Sequence, residues 1–215
     1  MLKLCVLFGW MAFFLENSSG AVLESGDMSF LEELKKIKIP NEYGLTEIVL
    51  GDETAPHTVI IYSSFTCDLC RKFHREEFLK FKKKYVDTGE VKLYLRSYLD
   101  DQGALESAIL VRCLGGNSGE KMIALSSVIF EEQQSWKASS DPQQFLIDLI
   151  VRKGYSRKKV NACLSNTRIS AGLMKEQQQA MLKLKIYLVP TFIVDGKLHQ
   201  GLLTCSELAA KFRPE

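Results

Sequence analysis

Residues 58–65, TVIIYSSF, are apolar or β-branched at nearly every position, the pattern of a strand buried on both faces. From Asp68 the period changes to that of a helix, with Leu69, Phe73, Phe78, Phe81 and Tyr85 recurring every three to five residues until Asp87-Thr88-Gly89 ends the run. Strand and helix meet at Thr66-Cys67-Asp68-Leu69-Cys70, which puts two cysteines with two residues between them at the junction. A strand running straight into a helix implies a parallel crossover to a further strand, here VKLYLRSYL at 91–99.

The rest of the chain extends this α/β start. EIVLG at 47–51 reads as a short strand, GDETAP as a loop, and DMSFLEELKKIKI at 27–39 as a helix capped by Asp27 or Ser29 and stopped by Pro40. Residues 101–167 carry no strand pattern. Breaks at Gly115-Gly116-Asn117, Ser139-Ser140-Asp141-Pro142 and Gly154-Tyr155-Ser156 delimit about four short amphipathic helices. A further helix is predicted over 168–185. LVPTFIVDGKLHQG then reads as strand, Asp195-Gly196 turn and strand. The last helix, in TCSELAAKF, has Thr204 and Glu207 at capping-box spacing. The predicted architecture is a small sheet interrupted by a helical insertion at 101–167, with 21–100 and 168–215 forming the domain around it.

The N-terminus has a separate character. Met1-Leu2-Lys3 is a short basic start, residues 4–15 are apolar throughout, and ENSSGAV is polar and small. That is the three-part build of a secretory signal peptide, with a cut after Gly20; an uncleaved anchor or a buried helix is the alternative. Twelve apolar residues are short for a bilayer span. Export would remove Cys5 and leave Cys67, Cys70, Cys113, Cys163 and Cys205 in a compartment where disulfides persist, an odd number that leaves one thiol over. The formal net charge of +2 gives no sign of a nucleic-acid partner, and Lys82-Lys83-Lys84 reads as a solvated helix face.

A cysteine pair two residues apart is a redox centre, half of a metal site, or a structural disulfide. Cys67 falls at a helix N-terminus, where unpaired amides and the positive end of the dipole favour thiolate, the nucleophile of disulfide exchange. Cys70 lies one turn further in, within reach of a disulfide and less exposed. Zinc needs four ligands, and neither a second such pair nor a paired-histidine motif is present; His74, four residues after Cys70, is read as a surface residue rather than a third ligand. His57 and His199 are read as surface residues, and Trp136 as a packing residue in a loop between insertion helices. Cys113 and Cys163 each fall in an apolar helical pattern and read from the residues alone as buried thiols. Val189-Pro190 opens a strand, where proline is unfavourable except at an edge or in a special conformation such as a cis peptide.

Taken together, GDETAPHTVIIYSSFTCDLCRKFH, the helical insertion and KIYLVPTFIVDGKLHQG resemble the DsbA-like branch of the thioredoxin superfamily over nearly the whole region after residue 20. The resemblance implies a thioredoxin-like fold with an inserted helical domain. It implies Cys67 as the attacking cysteine, Cys70 as its partner, Val189 and Pro190 as a substrate-binding cis-proline segment, and Cys113–Cys163 as a second, structural disulfide. Cys205 is then the odd thiol, read as inert. The implied function is an exported, periplasmic oxidase that donates its disulfide to reduced, unfolded secreted proteins and is reoxidised by a DsbB-like membrane protein. No cofactor or metal is expected, since the disulfide carries the electrons, and a monomer is favoured. Val189 before Pro190 leans toward oxidase, because isomerase-type relatives commonly have threonine there. A disulfide isomerase or reductase on the same fold is the alternative; a holdase or metal carrier is the alternative from another class. Two departures bear on oxidising strength. Ile61 stands where many relatives bury an acidic residue six positions before the first cysteine. Asp68 adds a negative charge beside Cys67 and is expected to disfavour its thiolate.

Overall fold

A computed structural model of the 215-residue chain describes residues 41–213. The basic start, the apolar run, Cys5, the expected cut after Gly20 and the helix expected over 27–39 lie outside the described residues. Beyond a short 3-10 turn at Asn41–Tyr43, the strands are β1 (Ile48–Leu50), β2 (His57–Ser63), β3 (Val91–Ser97), β4 (Thr191–Val194) and β5 (Lys197–Gln200). Between β2 and β3 runs helix α1, which starts as Asp68–Phe73 and continues through His74–Phe78, Leu79–Phe81 and Lys82–Val86. The second and fourth of these stretches are wound in wider i→i+5 turns, which explains the five-residue step from Phe73 to Phe78: both side chains are buried despite a spacing too long for a regular α-turn.

The sheet order is β1-β3-β2-β4-β5. β2 pairs parallel with β3 (Val59 opposite Leu93) and antiparallel with β4 (Ile61 opposite Phe192). Its apolar run divides by alternation: Val59 and Ile61 enter the main core, while Ile60 and Tyr62 enter a smaller cluster with Ala180, Leu184 and Ile193 on the other face. A strand with apolar side chains on both faces is stable only where both are covered, so β2 takes the centre. The turn from β4 to β5 places Asp195 (φ 47) and Gly196 (φ 85) in the left-handed region, as a tight hairpin requires. The Asp195 carboxylate accepts from the Thr58 amide (2.8 Å) and pairs with His57 Nδ1 (2.8 Å), so this turn is fastened to the start of β2.

The insertion consists of α2 (Gln102–Gly115), α3 (Gly119–Glu131), α4 (Gln133–Lys137), α5 (Pro142–Arg152) and α6 (Arg157–Leu164), followed by α7 (Thr167–Leu184) and, at the end of the chain, α8 (Cys205–Ala209). Five helices stand where about four were expected. The extra division falls at Glu132 (φ −91, ψ 8), in a stretch with no glycine or proline to announce it. Trp136 lies within α4 rather than in a loop; it is buried and its indole donates to the Ile129 carbonyl (3.1 Å). α3 closes against β1 at Gly119, where a Cβ would stand 2.5 Å from the Val49 carbonyl oxygen. Thr204 and Glu207 form the expected capping box.

The insertion is not a detached unit, because one hydrophobic cluster runs from the sheet and α1 through α2, α3, α5 and α6. A buried polar cluster joins the same parts. Arg96 on β3 donates to the Tyr62 hydroxyl (2.9 Å) and to Glu47 (2.9 Å), and Arg112 on α2 pairs with the fully buried Glu176 on α7 (3.4 Å). Cys113 on α2 and Cys163 on α6 are bonded, with Cα atoms 5.6 Å apart.

His74 is buried rather than on the surface. Its ring lies against Phe78 (4.8 Å between centroids) and Phe130 (4.7 Å), and Nε2 meets the Ser127 hydroxyl at 3.0 Å. Burial pushes its imidazole down to about 4 from 6.5. Between those values the unfolded chain binds a proton that the fold excludes, so this contribution to stability is complete above pH 6.5 and is lost as pH falls toward 4. The lost contribution is about 3 kcal/mol. Denaturant unfolding of the native chain and of His74→Phe at pH 7 and pH 4.5 checks this. The phenylalanine variant is expected to lose clearly less stability on acidification, and equal losses in the two proteins would exclude His74 as the group responsible.

Candidate functional site

Cys67 is the N-cap of α1, in extended geometry (φ −79, ψ 122). The turn before it is held by the Cys67 amide on the Ser64 carbonyl (3.3 Å) and by the Ser64 hydroxyl, which accepts from the Thr66 amide (3.2 Å). As the cap, the Cys67 sulfur accepts the Cys70 backbone N–H at 3.1 Å, so it fills the place usually taken by a serine or aspartate oxygen. It is half-buried, whereas Cys70, one turn in, is 1% exposed.

This asymmetry separates the two thiols chemically. Cys67 is held below the usual thiol range chiefly by a hydrogen bond from the Cys70 thiol, helped by the amides of Cys70 and Leu69. Partial burial and the negative charge of Asp100 oppose that shift. Cys70 is pushed far up, first by burial, then by its role as donor to Cys67 and by the charge there. Beneath Cys70 lies a cavity of about 40 Å³, lined by Ile61, Ser63, Cys70, His74, Arg96 and Ser126 among others, with room for one or two waters. Ile61 is buried, and the position six residues before Cys67 thus borders the same cavity as Cys70 with an apolar side chain.

The Val189–Pro190 peptide is cis and lies directly before β4. The Cys67 thiol donates to the Val189 carbonyl at 3.5 Å, while the Pro190 carbonyl accepts from the Gly201 amide (2.9 Å). The structure thus brings Cys67, Cys70, Val189 and Pro190 together, although 122 residues separate Cys67 from Val189. Cys113 and Cys163 are brought together elsewhere, in the insertion. Cys205 is part-exposed in the first turn of α8, where its amide donates to Glu77 (2.8 Å). Among the described residues, no group of three or more His, Cys, Asp or Glu side chains is gathered as a metal site requires.

Two further residues, Asp100 and Gln133, act on the site without a signal in the sequence. Asp100, exposed just beyond β3, is the carboxylate whose charge reaches Cys67. Asp68, expected to play that part, instead points outward, with its side chain 76% exposed and paired with Lys137 (3.3 Å). Gln133, fully buried on α4, donates to the Phe65 and Cys67 carbonyls (2.7 and 3.0 Å). Leu69, read from its spacing as a core position, is 49% exposed beside Cys67. In this first turn the inward place is taken by Cys70, the next residue, which is 1% exposed.

The family model described as thioredoxin matches residues 44–211, and the chain belongs to that family. Among proteins of known name, a Rickettsia conorii protein named as a protein-disulfide oxidoreductase is 28% identical over 76% of this chain, spanning 58% of the relative's own length. Disulfide bond formation protein D of Bacillus subtilis is 22% identical over 78% of this chain and 76% of its own. The crystal structure of Wolbachia pipientis alpha-DsbA1 superposes with a TM-score of 0.74 at 24% identity, covering 83% of this chain and 92% of that one. The fold is therefore the thioredoxin-like fold of DsbA proteins with their inserted helices, as the motif order implied.

Asp100→Asn removes the opposing charge from Cys67. Its thiolate should form at lower pH, stabilising the reduced protein and making the pair more oxidising. Asp68→His should move the same titration less, since Lys137 already balances Asp68. Thiolate absorbance followed against pH on the reduced protein measures both; a larger shift in Asp68→His than in Asp100→Asn would reverse this assignment.

Proposed function

We propose that this chain is an exported thiol-disulfide oxidoreductase that donates a Cys67–Cys70 disulfide to reduced protein substrates. The observation that carries the proposal is the inequality of the two thiols: Cys67 is half-buried, capped by amides and lowered, whereas Cys70 is buried and raised. In the oxidised protein a substrate thiolate attacks the accessible Cys67 sulfur. The Cys67–Cys70 bond breaks, and Cys70 receives the electron pair and takes up a proton, as its raised pKa requires. A second substrate thiolate then attacks the substrate sulfur of the mixed disulfide and expels Cys67. A low-pKa thiolate leaves readily, so the enzyme is released reduced and the substrate gains one disulfide. Two electrons move from substrate to protein, and no cofactor takes part.

The surroundings suit an unfolded polypeptide. Leu69, Tyr187 and Leu188 are large exposed apolar side chains in the two segments that meet at Cys67. The Tyr98 hydroxyl reaches the Tyr187 carbonyl (3.4 Å), and Leu99, the next residue, opens a groove of about 390 Å³ lined with Leu105, Met174, Met181 and Leu182. An extended substrate laid along Val189 would place its own thiol over Cys67. Export rests on the N-terminal segment, and reoxidation falls to a DsbB-like membrane partner; the names of the Rickettsia and Bacillus relatives support the disulfide chemistry itself. A periplasmic setting and a monomer fit the same reading. A lowered Cys67 pKa favours the oxidase over an isomerase or reductase, because it stabilises the reduced form relative to the disulfide.

Cys67→Ser is expected to abolish disulfide transfer to a reduced model substrate, and Cys70→Ser to accumulate mixed disulfides through Cys67. Mass mapping of the trapped species decides the roles; a substrate linked to the sulfur of Cys70 in the Cys67→Ser protein would reverse them. Equilibration of the native pair against a glutathione series tests the direction of the reaction. A strongly oxidising value supports the oxidase, and a thioredoxin-like value means that the chain works as a reductase.

A further inference from the structure

The three carbonyl groups that precede α1, those of Phe65, Thr66 and Cys67, all accept hydrogen bonds from one turn of one helix in the insertion. Gln133 Nε2 donates to Phe65 (2.7 Å) and Cys67 (3.0 Å), and Lys137 Nζ donates to Thr66 (2.6 Å) and to the Asp68 carboxylate (3.3 Å). Gln133 and Lys137 are four residues apart on α4, so their side chains leave the same face of the helix. Gln133 is fully buried, and its Oε1 finds no hydrogen-bond partner among the described residues. A buried amide that leaves its acceptor unmatched yet places both donor bonds on this loop is a costly arrangement for packing alone.

The three carbonyl oxygens carry partial negative charge within a few residues of the sulfur that must ionise. Donors placed on them offset that charge and hold the loop that sets the Cys67 sulfur against the Cys70 and Leu69 amides of α1. Lys137 adds a formal positive charge and neutralises Asp68, the one carboxylate between the two cysteines.

We infer that Gln133 and Lys137 are positioning residues through which the helical insertion sets the ease of ionising Cys67, and with it the oxidising strength of the pair. The inference rests on the dithiol function proposed above. Its test reads the thiolate directly, so the two stand or fall separately.

Gln133→Met keeps the volume and removes both donors. The Cys67 thiolate is then expected to require about one pH unit more to form, and the equilibrium with glutathione to shift about tenfold toward a weaker oxidant. The reduced form should lose more stability than the oxidised one. Lys137→Met should shift the titration in the same direction by a smaller amount that shrinks in high salt, and Lys137→Arg should restore it. If Gln133→Met lowers the stability of both redox forms equally and leaves the titration and the glutathione equilibrium in place, Gln133 only packs the loop and the inference is overturned. Should Gln133→Met not fold, the part-exposed Lys137 pair decides: no difference between methionine and arginine at 137 in either measurement overturns it. Loss of transfer activity in Cys67→Ser bears on the proposed function and leaves this outcome untouched.

Discussion

The hydrogen bond from the Cys70 amide to the Cys67 sulfur, 3.1 Å long, joins the folding of α1 to the chemistry of the dithiol. An uncapped helix start leaves amide protons unsatisfied, and here the group that satisfies one of them is the sulfur itself. The more negative that sulfur, the better it caps. Ionisation of Cys67 therefore strengthens the first turn of the helix, whereas in the disulfide the sulfur is a much weaker acceptor. The reduced protein gains from this, and that gain is the basis of the disulfide-donor reading proposed above.

That bond is positioned by several elements that converge on one point. β2 is locked in the middle of the sheet by apolar contacts on both faces, and at its carboxyl end it delivers Ser64–Cys67 in a fixed direction. The segment before β4 brings the Val189 carbonyl to the other side of the sulfur. α4 of the insertion reaches the loop from a third side through Gln133 and Lys137. The insertion is itself anchored to the sheet by the shared core and by the buried Arg96, Arg112 and Glu176 cluster, where Glu176 is pushed up by burial while Arg112 and Arg96 favour its charge. A carboxylate between two guanidiniums in the interior specifies one docking of α2 and α7 against β3, because any other would strand a charge.

Much of the fold is visible in local patterns. The two-faced apolar run of β2, the helical period after Asp68, the Asp195-Gly196 turn and the Thr204–Glu207 capping box each depend on neighbours a few residues away, and each is found where its pattern lies. The failures have local causes too. Glu132 breaks a helix without a breaker residue, and the turn accompanies long-range bonds from the buried Gln133 and a bond from the buried Trp136 to the Ile129 carbonyl. His74 and Leu69 exchange their expected places: His74 is buried within the wider turns of α1, and in the first turn Cys70 takes the inward place and leaves Leu69 exposed.

The sequence by itself determined where the cysteine pair sits and its asymmetry. A strand that turns into a helix at Cys67 places one cysteine on the unpaired amides and the other a turn deeper, and that follows from helix geometry alone. Only the tertiary structure decided which charges the pair feels. Asp68 is adjacent in the chain, yet its side chain extends into solvent and is balanced by Lys137, 69 residues away. Asp100 and Gln133, each distant in the chain, act on Cys67 because the end of β3 and the start of α4 close around it. Electrostatic effects fall off with distance through space and not along the chain, so the partners that tune a thiol become known only when the chain has folded.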